Sequence, residues 1–224
     1  MDGSSFESRI QMMSLQLVPF FMAIVIHEFG HGWMARKWGD NTAFDSGRLT
    51  LNPIAHVDPI GTLAIPLLNM ITGIPLLFGW AKPVPINPNR FRKYRPGLFW
   101  VSVAGIIANF IMAALCALSF AALIRFMPED FFLTRPLILM AQFGVGVNFA
   151  IALFNLLPIP PLDGSKVIES FLSYEATRKM QALERYSFFI LIALLWSGAL
   201  SVLQGPIQWL STVFLTTAAQ LFGI

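Results

Sequence analysis

The sequence predicts an all-α polytopic membrane protein with about five to six membrane segments. Three observations carry that reading. Of 224 residues, 56% are hydrophobic and only 12% are charged, about half the charge of a soluble domain. The mean hydropathy is +0.66. The apolar residues gather in runs near the ~20 residues that a helix needs to cross a bilayer, and the Lys and Arg residues cluster between those runs. A net charge of +3 is too small to argue for a nucleic-acid partner. A single cysteine, Cys116, lies inside an apolar run. It excludes a disulfide framework and a thiolate-based metal site.

Met1 to Arg9 lacks a basic n-region and a small-residue cleavage site, so no signal peptide is expected. The first helix should run from about Ile10 to Lys37 and bend at Pro19. Arg36-Lys37 with Gly39 just beyond reads as its stop. Residues 40–57 are mostly polar and hold a strand-like run, 47–51. Pro59 to Trp80 is apolar but broken by Gly61, Pro66, Gly73, Pro75 and Gly79. Ala81 to Pro96 is rich in proline and basic residues, with a second extended run expected at 83–87. Leu98 to Ile124 is a clean span, Arg125 to Arg135 a mixed-charge loop, and Pro136 to Leu157 a further span. Residues 165–185 are amphipathic and charged. Tyr186 to Leu203 spans again, and Pro206 to Phe222, free of charge, can return across the membrane. Residues 1–224 are read as a single intramembrane domain.

All Lys and Arg except Arg9, Arg125 and Arg135 fall in three segments: Arg36 to Arg48, Lys82 to Arg95, and Lys166 to Arg185. Cytoplasmic loops carry the excess of such residues. Placing all three segments in the cytoplasm requires residues 59–80 to enter and leave on one side, as a re-entrant region. Irregular backbone is tolerated there where protein covers it or a wet cavity lines it. The end of the first helix and Asp163 then share the cytoplasmic face.

The chemistry sits at that end, in His27-Glu28-Phe29-Gly30-His31. Burying two histidines and a carboxylate at the edge of a membrane-length run is costly unless a partner such as a metal ion compensates them. Residues i and i+4 share one helix face, so His27 and His31 can both direct a ring nitrogen at one tetrahedral Zn²⁺. Glu28 is offset by one residue, placed to hydrogen-bond a water at the ion and take its proton. The H-E-x-x-H pattern points to zinc-peptidase chemistry.

A catalytic zinc needs a third protein ligand and an open fourth position. Asp163, Asp58 and His56 are the candidates. Asp163 is favoured because Pro158, Pro160 and Pro161 stiffen its approach and Gly164 allows a tight turn. An ordinary Asx turn capping the next helix is the competing explanation, and His56 remains open as the ligand.

Several spaced segments together resemble one family. His27 to His31 is followed far downstream by Asn155-Leu-Leu-Pro158 and Leu162-Asp163-Gly164. Gly47 to Leu63, Gly79 to Pro88 and Ala104 to Asn109 lie between them. This pattern resembles the site-2 protease family of intramembrane zinc metalloproteases, in a compact bacterial branch without PDZ or CBS domains. The resemblance covers residues of about 15 to 170. It implies one Zn²⁺ per chain held by His27, His31 and Asp163, with Glu28 as general base. It also implies that Asn155 polarises the scissile carbonyl or holds its oxyanion. A side-chain amide donor near a metal suits that task, although a helix C-terminal cap or a helix–helix hydrogen bond would equally explain an Asn there. The span after the basic loop reads Ala104-Gly105 where Gly-Pro is common in the family.

The expected function is zinc-dependent hydrolysis of peptide bonds in transmembrane-helix substrates near the cytoplasmic face, as in regulated intramembrane proteolysis. A helix shields its carbonyls, so the substrate must unwind, and the runs at 47–51 and 83–87 could offer an edge for it to pair with. The partners are membrane-protein substrates and the lipid bilayer, with no nucleic acid. The location is a cell membrane, crossed several times, of bacterial inner or plasma type. The alternative is a non-proteolytic zinc-binding membrane protein, a carrier or inactive scaffold. A carrier should show polar groups along several spans rather than at one face.

Overall fold

The computed structural model describes residues 3–64 and 82–224. Helix α1 covers Gly3–Lys37, starting ahead of the expected Ile10. Arg36 and Lys37 occupy its last turn, where cations favour the negative end of the helix dipole. Gly39, at φ 107°, turns the chain away in a conformation that side-chain-bearing residues avoid.

A short helix, α2 (Thr42–Asp45), follows. Asp40, fully buried, organises this corner. Its Oδ1 accepts from the Thr42 backbone N–H at 3.0 Å and from the Thr42 hydroxyl, and its Oδ2 accepts from the Asn87 N–H at 2.6 Å. Asp40→Ala should therefore strip two backbone donors of their acceptor, at about 1–3 kcal/mol for each one left unsatisfied. We expect a clear fall in the thermal unfolding midpoint of the purified chain in detergent.

Neither 47–51 nor 83–87 forms a strand. The physical reason lies in where the donors go. Pro83 and Pro85 have no N–H to offer a ladder. The Val84 N–H goes to Glu28 Oε2 and the Asn87 N–H to Asp40. The two runs are tied by a side chain instead, Arg48 Nη2 donating to the Lys82 and Pro83 carbonyls at 2.8 and 3.2 Å. An incoming strand would find those amides already engaged with the chain's own carboxylates.

Of the 59–80 region, Pro59–Ala64 forms a π-helical turn, entered through Asp58, whose Oδ1 accepts from the Ile60 and Gly61 N–H groups. Residues 65–81, and with them the re-entrant reading, lie outside the described residues.

Helix α3 (Tyr94–Phe126) and helix α4 (Thr134–Asn155) are the two clean spans. Both begin a little earlier than the sequence suggests, because Pro96 and Pro136 fall in the first turn, where a missing N–H has no intrahelical partner to lose. Helices α5 (Asp163–Glu169) and α6 (Tyr174–Glu184) make up the amphipathic region. It is moored to α3 by Tyr94 OH donating to Glu169 Oε1 at 3.3 Å and Arg95 Nη2 to the Leu172 carbonyl at 2.9 Å.

The expected Tyr186–Leu203 span is broken. Helix α7 (Ser187–Trp196) is about 15 Å long, half a hydrocarbon thickness. Gly198, at φ 71°, ends it, and the chain bends by 77° before α8 (Gln204–Phe222). Among the described residues, three helices are long and apolar enough to cross a membrane: Gln11–Lys37 of α1, α3 and α4. The bent α7–α8 pair is a fourth if it is counted as one span.

Helix α1 packs on α3 and α4, and α8 packs against α3 and α4. The α3–α4–α8 core is built from Ala113, Ala117 and Ala121 at i, i+4 spacing, with Val145, Phe149 and Ala218. The Phe149 ring meets Phe110 and Phe214 edge-on, at 5.3 and 4.9 Å. Small residues let helix backbones approach closely where lipid offers no hydrophobic drive. At the α1–α3 crossing, a Cβ on Gly30 would lie 2.8 Å from the Ala104 carbonyl oxygen. That close crossing carries the last turns of α1 against residues 101–109 of α3.

Candidate metal centre

His27 and His31 project from the same face of α1, as i and i+4 must, and their rings meet edge to face with centroids 4.5 Å apart. Asp163, the first residue of α5, reaches them from across the chain. His27 Nε2 and His31 Nε2 are 3.0 Å apart, and Asp163 Oδ2 lies 3.1 and 2.9 Å from them. All three side chains are buried. Among the described residues this is the one group of three or more His, Cys, Asp or Glu side chains able to hold a metal ion.

The donor set fits zinc. Four-coordinate zinc with bonds of about 2.0–2.1 Å holds its ligand atoms about 3.3 Å apart, close to the observed edges. His31 Nδ1 lies 2.7 Å from the Val101 carbonyl oxygen. That oxygen can only accept, so Nδ1 carries the hydrogen and the neutral ring turns a bare Nε2 toward the centre. Asp163 Oδ2 faces both Nε2 atoms, and a carboxylate set against the bare Nε2 of His31 is an arrangement that a bound cation relieves. Lys166 Nζ is 3.8 Å from the other Asp163 oxygen, too long for a strong ion pair.

Two glycines permit this convergence. A Cβ on Gly105 would run into the Nε2 atom of His31 and come within 2.6 Å of its Cε1 and 2.9 Å of His27 Cε1, so α3 presses its bare backbone onto both rings. A Cβ on Gly164 would meet the Leu156 carbonyl and lie 2.5 Å from the Leu157 oxygen. The proline-lined turn from α4 closes there and delivers Asp163.

Glu28 sits half-buried beside His27, its Oε2 accepting from the Val84 N–H at 2.8 Å. Asn155 ends α4, and its Nδ2 donates to the Ile151 carbonyl of its own last turn at 3.0 Å. In this conformation it acts as a helix-end cap, one of the explanations the sequence leaves open. His56 is fully buried elsewhere, its Nε2 3.0 Å from the Thr50 carbonyl, and Asp58 caps the 59–64 turn. The structure thus joins Asp163, and not His56 or Asp58, to the histidine pair.

Two asparagines to which the sequence alone gives no role lie behind the His27 imidazole. His27 Nδ1 lies 2.6 Å from Asn109 Oδ1, and Asn109 Nδ2 donates to Asn148 Oδ1 at 2.8 Å. An asparagine inside a long apolar helix is the signal that could have found both.

The family description "Peptidase family M50" matches residues 131–198. "Putative zinc metalloprotease YwhC" of Bacillus subtilis (strain 168) is 34% identical over 195 residues, which cover 83% of this chain and 81% of that protein. "Putative zinc metalloprotease Rip2" of Mycolicibacterium smegmatis (strain ATCC 700084 / mc(2)155) is 29% identical over 200 residues, covering 87% of this chain and 71% of that one. The protein of the same name from Mycobacterium tuberculosis (strain ATCC 25618 / H37Rv) is 29% identical over 195 residues, with the same shares. No solved structure matches the chain.

Proposed function

We propose that this chain, which belongs to peptidase family M50, the site-2 protease family of zinc metalloproteases, hydrolyses peptide bonds of transmembrane helices near the cytoplasmic face of a cell membrane that it crosses several times. The observation that carries the reading is the triangle of His27 Nε2, His31 Nε2 and Asp163 Oδ2, with edges of 2.9–3.1 Å at the end of a membrane-length helix. Those three side chains would hold one zinc ion per chain and leave a coordination position open.

When bound, zinc supplies Lewis acidity toward a water and toward a peptide carbonyl. The remaining steps fall to the protein. Glu28 accepts the proton of the attacking water and passes it to the leaving nitrogen. The Val84 N–H holds one oxygen of Glu28 and leaves the other for that proton. Asn155, at the end of α4, turns its amide from Ile151 to the scissile carbonyl as substrate enters. The substrate helix has to unwind first, since its carbonyls are otherwise engaged in i→i−4 bonds. The basic residues of 36–48, 82–95 and 166–185 support a cytoplasmic position for this end.

The purified full chain in proteoliposomes should cleave a reporter transmembrane helix. A zinc chelator should abolish cleavage, and added zinc should restore it. Transport of zinc with no cleavage of any membrane peptide would replace this reading with a carrier.

A further inference from the structure

We propose that Asn109, held in one orientation by Asn148, is a positioning residue that fixes the His27 ring and turns its Nε2 to the metal. The inference rests on the zinc reading above and extends it to two residues from other helices. The directions of the hydrogen bonds follow from two backbone carbonyls, which can only accept. Asn148 Nδ2 lies 2.8 Å from the Gly144 carbonyl, so its NH₂ faces that oxygen and its own Oδ1 faces Asn109. Asn109 Nδ2 lies 2.8 Å from that Oδ1 and 2.9 Å from the Ala23 carbonyl. Both of its hydrogens are thereby engaged, and its Oδ1 is left for His27 Nδ1 at 2.6 Å. An amide oxygen accepts only, so Nδ1 of His27 carries the hydrogen and Nε2 is the bare, metal-facing nitrogen.

The relay joins three long helices: His27 and Ala23 on α1, Asn109 on α3 and Asn148 on α4. Asn109 grips α1 at two points one turn apart, donating to the Ala23 carbonyl and accepting from His27. Asn109 is 0% exposed and Asn148 1%, so water cannot take over either bond. His31 gets the same service from the Val101 carbonyl, which no side-chain replacement removes. His27 depends on a side chain.

Outer hydrogen-bond partners of this kind typically change metal affinity 10- to 100-fold when lost. Zinc affinity of the full chain in detergent, measured by chelator competition, should fall by about that factor in Asn109→Leu. In Asn109→Asp it should stay within a few-fold of wild type. The aspartate keeps an oxygen on His27 Nδ1 but loses both donors, so a purely structural role would damage it at least as much as leucine. Equal affinity in Asn109→Leu and wild type overturns the proposal, as does Asn109→Asp binding no better than Asn109→Leu. Wild-type protein that binds no zinc at all would instead refute the metal centre itself.

A measurement on wild type guards against variants that fail to fold. With ¹⁵N-histidine, only three histidines are labelled. Zinc-loaded His27 should show a protonated Nδ1 and a metal-bound Nε2, and the reverse assignment would refute the relay.

Discussion

Glu28→Gln should bind zinc as wild type does and cleave a reporter membrane helix about 10²–10⁴-fold more slowly, the usual contribution of a positioned general base. The substitution is unusually clean at this site. Glu28 is not among the three converging ligand atoms. Among the described residues its hydrogen-bond partner is the Val84 N–H, which donates to Oε2 at 2.8 Å. A glutamine oxygen accepts that same hydrogen bond, so the 82–87 segment stays in place. What changes is basicity, since an amide cannot take the proton of an attacking water. Metal content and cleavage rate therefore separate, the first kept and the second lost. Cleavage at the wild-type rate would remove Glu28 from the chemistry, and loss of zinc together with activity would make it part of the metal's support instead.

Much of this site can be read in the chain itself. His27, Glu28 and His31 are legible because helix geometry converts a spacing of four into a shared face, and because charge-bearing residues rarely end a membrane run without a task. Asp163 is half legible: prolines and a glycine mark a rigid turn, but no local rule says which distant residue that turn will meet. The relay behind His27 shows in the sequence only as two asparagines inside apolar spans. Asn109 and Asn148 lie 39 residues apart on different helices, and an asparagine in a span reads as generic helix–helix adhesion. Gly105 likewise reads as a packing residue until its neighbours prove to be the two imidazoles. Asp40 looks like a solvated loop acid, and only the fold brings the Asn87 N–H to it.

The fold shows the same division. The α3 and α4 spans follow from hydropathy alone. The strands expected at 47–51 and 83–87 fail because extended backbone needs a partner with matching donors, and two prolines together with two carboxylate-bound amides leave 83–87 without them. The break after α7 turns on Gly198, which a window of mean hydropathy averages away.

The metal content of the purified full chain, wild type beside Asp163→Ala and His56→Ala, tests the central claim most directly. Asp163 supplies the anionic corner of the triangle, and its removal leaves two neutral imidazoles for the ion. His56 contacts the Thr50 carbonyl away from that triangle, so its loss should leave the metal in place. We predict one zinc per chain in wild type and in His56→Ala, and little or none in Asp163→Ala. Zinc kept by Asp163→Ala and lost only by His56→Ala would contradict the account.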